Sequence, residues 1–169
     1  MGAVRVRAAT AEDWPSVYAI FGAVTAEGST YAYPAGLSSE EARALWTGPG
    51  RVAVAVDDED ETVLGTSAAG PNRPGRGAHV ATASFMVGEH ARGRGVGRTL
   101  GEDVLAWASA EGFRAVQFNA VVETNTAAVA LWRSLGFVVI GTVPEAFDHP
   151  RDGLVGLHVM HRFLPWHQR

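Results

Sequence analysis

The chain has 169 residues, a formal net charge of −4 and 47% hydrophobic residues, values typical of a single soluble globular domain spanning residues 1–169. Cysteine is absent and all 14 basic residues are arginine, which excludes disulfide bonds, thiolate metal sites, cysteine acyl-enzymes and lysine Schiff bases. The acidic balance argues against a nucleic-acid partner. No apolar run approaches the roughly 18 residues of a membrane span, so we expect a cytoplasmic protein without a membrane partner.

The first half of the chain predicts two helices and three strands. Trp14, Val17, Tyr18 and Phe21 recur at helical spacing and give the first helix one apolar face. Ser38, followed three residues later by Glu41, has the pattern of a helix cap. The predicted elements, in order, are a strand at 4–8, a helix after Thr10, a loop at 28–37, a helix after Ser38 that ends near residue 48, and a hairpin of strands at 51–56 and 62–69.

The second half predicts further strands alternating with helices. Gly112 and Gly136 each follow an apolar helical pattern, a position where glycine commonly ends a helix. The predicted elements, in order, are a strand at 79–87, a helix opened by the glycines at 93–97, a strand at 115–122, a helix opened by Asn125, and strands at 138–143 and 154–163 joined by a loop. This order predicts a single α/β domain with a mixed sheet.

The sharpest motif is the segment Arg92–Arg98, of sequence RGRGVGR, between a strand and an amphipathic helix. Glycines let a backbone approach a ligand closely, and a helix N-terminus offers free N–H groups to an anion. The glycine spacing does not fit a dinucleotide fingerprint, and a Walker loop needs a lysine that the chain lacks. The segment therefore suits a pyrophosphate, and an ordinary tight turn into a helix is the alternative.

The spacing Arg92-x-x-Gly95-x-Gly97 resembles the signature of the GCN5-related N-acetyltransferase (GNAT) family. Three other segments are similar to that family: the strand ending at Phe85–Val87, the helix opened by Asn125 with its later Leu-Gly-Phe, and the first strand and helix. The resemblance implies an α/β GNAT fold. Its central sheet would be mixed and mostly antiparallel, with about seven strands, about four flanking helices, and a splay between strands four and five.

The resemblance also implies how acetyl-CoA would bind as the donor substrate. The strand before the glycines would hydrogen-bond the pantetheine arm through backbone groups, and the N–H of Met86 or Val87 would polarise the thioester carbonyl. Asn125 would contact the pantetheine arm or order a water, or serve only as a helix cap. The implied cofactor-binding residues are Phe85, Met86, Val87, Arg92, Gly93, Arg94, Gly95, Val96, Gly97, Arg98 and Asn125. The implied catalytic residues are Asn119, Asn125 and Val87.

Two features separate this chain from many relatives. Trp132 stands seven residues after Asn125, where many members carry a tyrosine as general acid. Some relatives carry a glutamate in the fourth strand near Thr82, and this chain has none there. We interpret Trp132 as a core residue. The proton acceptor stays open between water and four side chains. Those side chains are Glu123, His79, His158 and Glu145.

The acceptor site is expected where loops cover the open side of the sheet. Within the family, the chain most resembles the phosphinothricin and proline-analogue acetyltransferases. Asn119 and Asn125 lie six residues apart, as in the branch that acetylates azetidine-2-carboxylate and other proline analogues. An amide at Asn119 inside an apolar strand needs a hydrogen-bonding purpose, either structural or in binding the acceptor. The implied substrate-binding residues are Thr30, Tyr31, Tyr33, Thr82 and Asn119, with a late loop around Phe147, Asp148 and His149.

The resulting hypothesis is direct acetyl transfer from acetyl-CoA to the amine of a small molecule, an amino acid or an analogue. A protein or peptide N-acetyltransferase and a CoA-binding module without turnover are the alternatives. We expect no metal site, because His158 and His161 fall on opposite faces of a strand. Similar small acetyltransferases often pair, so a homodimer is expected.

Overall fold

A seven-stranded sheet forms the centre of the protein in the computed structural model, which describes residues 2–165. The ends of the predicted 1–169 domain lie outside these described residues. The strands are β1 (Val4–Ala8), β2 (Arg51–Asp57), β3 (Val63–Pro71), β4 (Val80–Val87), β5 (Ala115–Val122), β6 (Val138–His149) and β7 (Gly153–Phe163). Their order across the sheet is β1-β2-β3-β4-β5-β7-β6.

The sheet opens at its centre, between β4 and β5. These two strands form the parallel pair of an otherwise antiparallel sheet, and they pair only at Val80 with Ala115 and Ala81 with Val116. Beyond Ala81 the strands separate, so their facing backbone groups are free for other partners. The predicted mixed sheet, with its splay at the fourth and fifth strands, is confirmed.

Four helices cover the two faces of the sheet: α1 (Trp14–Glu27), α2 (Ser39–Thr47), α3 (Val96–Ala110) and α4 (Thr126–Ser134). Side chains of β2 alternate between the faces, as a strand requires. Val54 and Val56 pack with Trp46 and Phe21 under α1 and α2, whereas Ala55 packs toward Leu100 of α3. None of the helices within residues 2–165 is long and apolar enough to cross a lipid bilayer.

Cap residues explain where α1 ends and where α2 begins. The Ser38 hydroxyl accepts from the N–H of Glu41, and the Glu41 carboxylate accepts from the N–H of Ser38 at 2.8 Å, which closes the predicted capping box. Gly28 ends α1 with a φ of 68°, a left-handed conformation that favours glycine. The segment between α1 and α2 is therefore held at both ends while it crosses the open side of the sheet.

The last hairpin differs from the prediction. Residues 144–149 were expected in a loop, but they belong to β6, which pairs with β7 up to His149 and Gly153. A register shift between Val143 and Phe147, with Glu145 at a φ of 51°, absorbs Pro144 and lets pairing resume. Because β6 is the outer strand, proline there removes no ladder bond to a further strand.

Candidate active site

A cavity of about 1140 Å³ lies where β4 and β5 separate. Its walls come from six parts of the chain: the α1–α2 segment, β4, the glycine segment, β5, the start of α4 and the β6–β7 hairpin. Most predicted site residues face it: Thr30, Tyr31, Tyr33, Thr82, Phe85, Met86, Val87, Arg92, Gly93, Gly95, Val96, Gly97, Arg98, Asn119 and Asn125. Phe147 and His149 of the predicted late loop also line it, whereas Arg94 and Asp148 do not.

The backbone N–H groups of β4 point alternately toward β3 and toward its open edge. The N–H of Phe85 donates to the Tyr31 hydroxyl at 2.7 Å, and the N–H of Gly88 donates to Leu64 of β3 at 2.9 Å. Backbone groups of successive residues point to alternate edges of a strand. Val87 therefore shares the open edge with Phe85, while the backbone of Met86 faces β3. This favours Phe85 and Val87, rather than Met86, as the residues whose N–H groups meet a thioester.

The glycine segment is shaped to receive an anion. Gly93 and Gly95 have φ angles of 79° and 77°, and no atom lies within 4 Å of the place where either residue would carry a Cβ. The helix α3 begins at Val96, so the N–H groups of Val96, Gly97 and Arg98 have no acceptor within their own helix. These donors and the positive end of the helix dipole fit a pyrophosphate.

The arginines of this segment have different environments. Arg92 pairs with Glu27 at 2.6 Å, and Arg98 donates to Ser134 at 2.6 Å; both are exposed at the cavity mouth. Arg94 was expected to add charge beside the pyrophosphate. Its guanidinium instead lies 2.8 Å from Asp57 and 3.0 Å from the carbonyl of Gly2, which ties the loop to the end of β2.

Asn125 and Trp132 lie on the α4 side of the cavity. Asn125 is the N-cap of α4, because its side-chain oxygen accepts from the N–H of Ala128 at 3.2 Å. The Asn125 amide nitrogen makes no hydrogen bond among the described residues, so the cap does not exclude a ligand contact. Trp132 is 7% exposed and packs against Phe85 and Phe118, with ring centroids 4.7 and 4.8 Å away. Its predicted role in the core is confirmed.

Asn119 lies in a bulge of β5, where the pairing with β7 shifts between Phe118 and Val121. The residue is exposed, so the burial cost expected from its apolar neighbours does not arise. Its amide donates to Asn72 at 2.7 Å and accepts from Gln117 at 2.9 Å. Asn72 and Gln117 were not predicted, because nothing in their local sequence indicates this network. Asn119 and Thr82 are two of the polar residues that line the cavity wall.

Stacked aromatic rings hold the α1–α2 segment over the cavity. Tyr31 stacks on Tyr33 with centroids 5.7 Å apart and an interplanar angle of 4°, and Tyr33 stacks on Phe21 at 5.5 Å. The hydroxyl of Tyr31 donates to the carbonyl of Phe85 at 2.8 Å while accepting from its N–H. Burial raises the pKa of Tyr31 to about 12, because it disfavours the charged phenolate. The hydroxyl therefore stays protonated at neutral pH.

The β6–β7 hairpin adds His149 and Arg151. His149 is 7% exposed, and its Nδ1 accepts from the N–H groups of Arg151 and Asp152 at 3.3 and 3.1 Å. The same Nδ1 also lies 3.1 Å from the carboxylate of Asp152. In the tautomer whose Nδ1 accepts the two backbone N–H groups, the ring hydrogen is on Nε2, which then acts as a donor. The side chain of Arg151 has no carboxylate within ion-pair distance among the described residues. Arg151 was not predicted, because an arginine in a turn carries no signal by itself.

The candidate proton acceptors raised by the sequence do not line this cavity. Glu123 accepts from the N–H of Gly156, and His158 lies 2.7 Å from the hydroxyl of Thr142. His79 borders a separate, smaller cavity, and Glu145 lies in the β6 bulge. Within residues 2–165 no group of three or more His, Asp and Glu side chains could hold a metal ion.

Comparison with known proteins identifies the family of this chain. The model of the acetyltransferase (GNAT) family matches residues 14–137, and the chain belongs to this family. A GCN5-related N-acetyltransferase from Kribbella flavida is 61% identical, with a TM-score of 0.92 over 96% of this chain and 98% of that one. A phosphinothricin acetyltransferase from Sinorhizobium meliloti, solved with acetyl-CoA, shares the fold at 24% identity, with a TM-score of 0.85 over 96% and 89% of the two chains.

Curated relatives match over shorter segments. The N-acetyltransferase aca1 of Schizosaccharomyces pombe is 35% identical over 95 residues, which are 56% of this chain and 46% of that protein. The chain thus spans less than half the length of the curated relatives that it matches. The predicted family and its donor substrate, acetyl-CoA, are confirmed at the level of the family.

Proposed function

We propose that this protein transfers the acetyl group of acetyl-CoA directly to the amine of a small molecule that also carries an anionic group, an amino acid or an analogue. One observation carries the proposal. A single cavity joins the pyrophosphate cradle at Gly93–Arg98, the open edge of β4 and the side chain of Arg151. No carboxylate lies within ion-pair distance of Arg151 among the described residues, although its charge is felt at Glu27. Direct transfer needs donor and acceptor to meet in one cavity.

Backbone N–H groups form most of the proposed acetyl-CoA site. The N–H groups of the glycine segment and the first turn of α3 bind the pyrophosphate, and Arg92 and Arg98 add charge from the rim. The N–H groups of Phe85 and Val87 contact the pantetheine arm and the thioester carbonyl, and Asn125 orders the arm near α4. Bound acetyl-CoA supplies an acetyl carbon activated by its thioester. Arg94 is left out of this set because Asp57 already binds it.

The acceptor end contains one cation and several neutral polar groups. Arg151 and the Nε2–H of His149 suit a carboxylate or phosphinate, since both are donors and a guanidinium binds such groups with two hydrogen bonds. Thr82 and Asn119 offer a hydroxyl and an amide to the remainder of the acceptor. Proton removal from the acceptor ammonium is assigned to water, since none of the four candidate side chains named from the sequence lines the cavity.

The test is release of CoA thiol across an amine panel. Amino acids, proline analogues and phosphinothricin are compared with the matching carboxamides, polyamines and short peptides. We expect turnover with carboxylate- or phosphinate-bearing amines. Arg151→Gln should raise the KM for these acceptors by about 10-fold or more, on the order of one charge-assisted hydrogen bond, and leave the carboxamides unaffected. Arg133→Gln on α4 is the control, because that residue does not line the cavity.

Other results would support the alternatives. Preference for peptides would favour a protein N-acetyltransferase. Tight acetyl-CoA binding without thiol release from any amine would favour a CoA-binding module.

A homodimer is proposed on one further observation. Val138, Ile140 and Val143 of the outer strand β6 are each more than half exposed, and Leu154 and Phe163 of β7 are also exposed. An outer strand with apolar side chains is a ready surface for strand pairing. Sedimentation of the wild type and of Ile140→Lys tests this, since a monomeric wild type would contradict it. A cytoplasmic location stays a prediction.

A further inference from the structure

The hydroxyl of Tyr31 occupies a specific position on the open edge of β4. It accepts from the N–H of Phe85 at 2.7 Å and donates to the carbonyl of the same residue at 2.8 Å. Tyr31 lies 54 residues before Phe85, in the segment between α1 and α2. The contact therefore joins the acceptor side of the cavity to the donor side.

The Phe85 N–H is one of the two groups to which the proposed function assigns the thioester carbonyl. An oxygen atom, that of Tyr31, already accepts from it. A carbonyl oxygen that takes this N–H must displace the hydroxyl by about one oxygen–oxygen contact, roughly 2.7 Å. The displaced hydroxyl would then be next to the carbonyl oxygen, with its own hydrogen available to donate.

We propose that the hydroxyl of Tyr31 is the second donor, beside the N–H of Phe85, of the oxyanion hole that stabilises the acetyl-transfer transition state. The inference rests on the proposed function and names a catalytic residue for it. Without acetyl-CoA, the hydroxyl forms hydrogen bonds with the N–H and the carbonyl of Phe85. With the thioester in place, it donates to the thioester oxygen.

The step balances without a proton from Tyr31. The lone pair of the amine attacks the acetyl carbon, a C–N bond forms, and the carbonyl electrons move to the oxygen held by the two donors. When the C=O bond re-forms, the C–S bond breaks and its electron pair leaves on the CoA sulfur, while the ammonium proton passes to water. A tyrosine pKa near 12 lies well above the ~8.5 of a free thiol, so proton transfer to the thiolate is unfavourable. Tyr31 therefore acts as a hydrogen-bond donor and keeps its proton.

The surrounding rings position the hydroxyl in advance. Tyr31 is stacked on Tyr33 at 5.7 Å and meets Trp46 edge-on at 6.5 Å with an interplanar angle of 76°. Trp46 is itself anchored by donating to the hydroxyl of Thr66 at 3.1 Å. Donors to an oxyanion act through such preorganisation, because no reorientation is then needed as charge develops.

The competing role is that of a plug, in which Tyr31 only blocks the β4 edge until acetyl-CoA displaces it. Tyr31→Phe distinguishes the two roles. Loss of a side chain that only blocks the edge strengthens acetyl-CoA binding, whereas loss of a catalytic hydrogen-bond donor slows turnover. The control is Tyr18→Phe. The Tyr18 hydroxyl donates to the carbonyl of Leu37 at 2.8 Å, in the same α1–α2 segment but away from the cavity.

Three measurements are made on both variants and on the wild type: kcat with the best amine of the panel, the Kd for acetyl-CoA, and the infrared C=O stretch of bound acetyl-CoA labelled with ¹³C at the carbonyl. For Tyr31→Phe we expect kcat to fall by about 100- to 1,000-fold, on the scale of losing one oxyanion donor. The Kd should change by less than about 3-fold, which is under 0.7 kcal/mol. The C=O stretch should move to higher frequency. Tyr18→Phe should leave all three values as in the wild type.

Each contrary result has a distinct meaning. An unchanged kcat with a lower Kd for acetyl-CoA would show that Tyr31 only blocks the β4 edge, and it would overturn the inference. Equal losses of kcat in Tyr31→Phe and Tyr18→Phe would show that Tyr31 only supports the α1–α2 segment, which would also overturn it. If the wild type turned over no amine, the proposed function would fail. The infrared comparison would still decide whether Tyr31 polarises the thioester, since it needs only a bound donor. Absence of acetyl-CoA binding would overturn both.

Discussion

The guanidinium of Arg92 lies 2.6 Å from the carboxylate of Glu27, which links the first residue of the glycine motif to the last turn of α1. The hydrogen bond from Arg92 is the main reason that the pKa of Glu27 is lowered, with a further contribution from Ser29. Both side chains are about half exposed, so the pair contributes little to stability. In the proposed complex, the pyrophosphate of acetyl-CoA competes with Glu27 for the guanidinium of Arg92.

Glu27→Gln should therefore strengthen acetyl-CoA binding. Removal of a competing carboxylate frees Arg92, and the gain is about 2- to 5-fold in Kd, on the scale of an exposed ion pair. Calorimetric titration of acetyl-CoA at low and at high salt measures it, because the gain should shrink as salt screens the charges. Weaker binding by this variant would show that Glu27 supports the cradle rather than competing with the ligand.

Gly95→Trp should abolish donor binding. Gly95 is the residue before α3, its φ is 77°, and a side chain there would project into open space at the pyrophosphate cradle. We expect the acetyl-CoA Kd to rise by at least about 100-fold, which corresponds to about 2.7 kcal/mol. The positive φ adds a stability cost of about 1–2 kcal/mol.

Gly36→Ala controls for that cost. Gly36 has a φ of 75° and open space around it, but it does not line the cavity. It should lower the free energy of unfolding and leave the Kd intact. A folded Gly95→Trp protein that bound acetyl-CoA normally would refute the placement of the cradle.

Asn119→Ala should weaken binding of the acceptor amine and leave acetyl-CoA binding unchanged. Asn119 faces the cavity from the β5 bulge, whereas its partner Gln117 does not line the cavity. We expect an increase in the amine KM of about 5-fold or more, on the scale of one neutral hydrogen bond, with an unchanged acetyl-CoA Kd. Gln117→Ala removes only the donor to Asn119 and should change the KM far less. Equal effects in the two variants would assign the network a purely structural role.

Asp13 should make stability depend on pH below about 4. Its carboxylate accepts from Arg7 at 2.7 and 2.9 Å and from the N–H of Thr10 at 2.7 Å, and these bonds, that to Arg7 foremost, lower its pKa from 3.8 to about 2. A lowered folded-state pKa contributes stability above the unfolded-state pKa, and that stability is lost as the pH falls from about 4 to 2. The carboxylate is buried, so the contribution is on the order of 2 kcal/mol.

Urea unfolding of Asp13→Asn between pH 7 and pH 2 measures this contribution. The variant should be less stable than the wild type at pH 7, and the difference should narrow toward pH 2. Glu12→Gln, at an exposed neighbouring position, is the control and should follow the wild type. A gap that stayed constant with pH would show that the effect of Asp13 is not electrostatic.

The sequence by itself determined the family and the order of the elements, and it predicted the cradle for the cofactor. These features depend on local spacing: apolar residues at helical intervals, Ser38 and Asn125 at helix starts, and Gly93, Gly95 and Gly97 before α3. Backbone groups do the binding at such a cradle, so a pattern of glycines suffices to indicate it. The hairpin at residues 138–163 was less well predicted, because Pro144 suggests a break that an outer strand tolerates.

Only the tertiary structure decided which side chains act together. Tyr31 meets Phe85 across 54 residues, Asn119 meets Asn72 across 47, and Arg94 pairs with Asp57 across 37. Each pairing depends on which strand edge is open and on the side to which a loop folds, and neither property is encoded in local periodicity. Arg92 and Arg94 show the limit most clearly. They lie two residues apart in one motif, yet one faces the cavity and the other is bound to the end of β2.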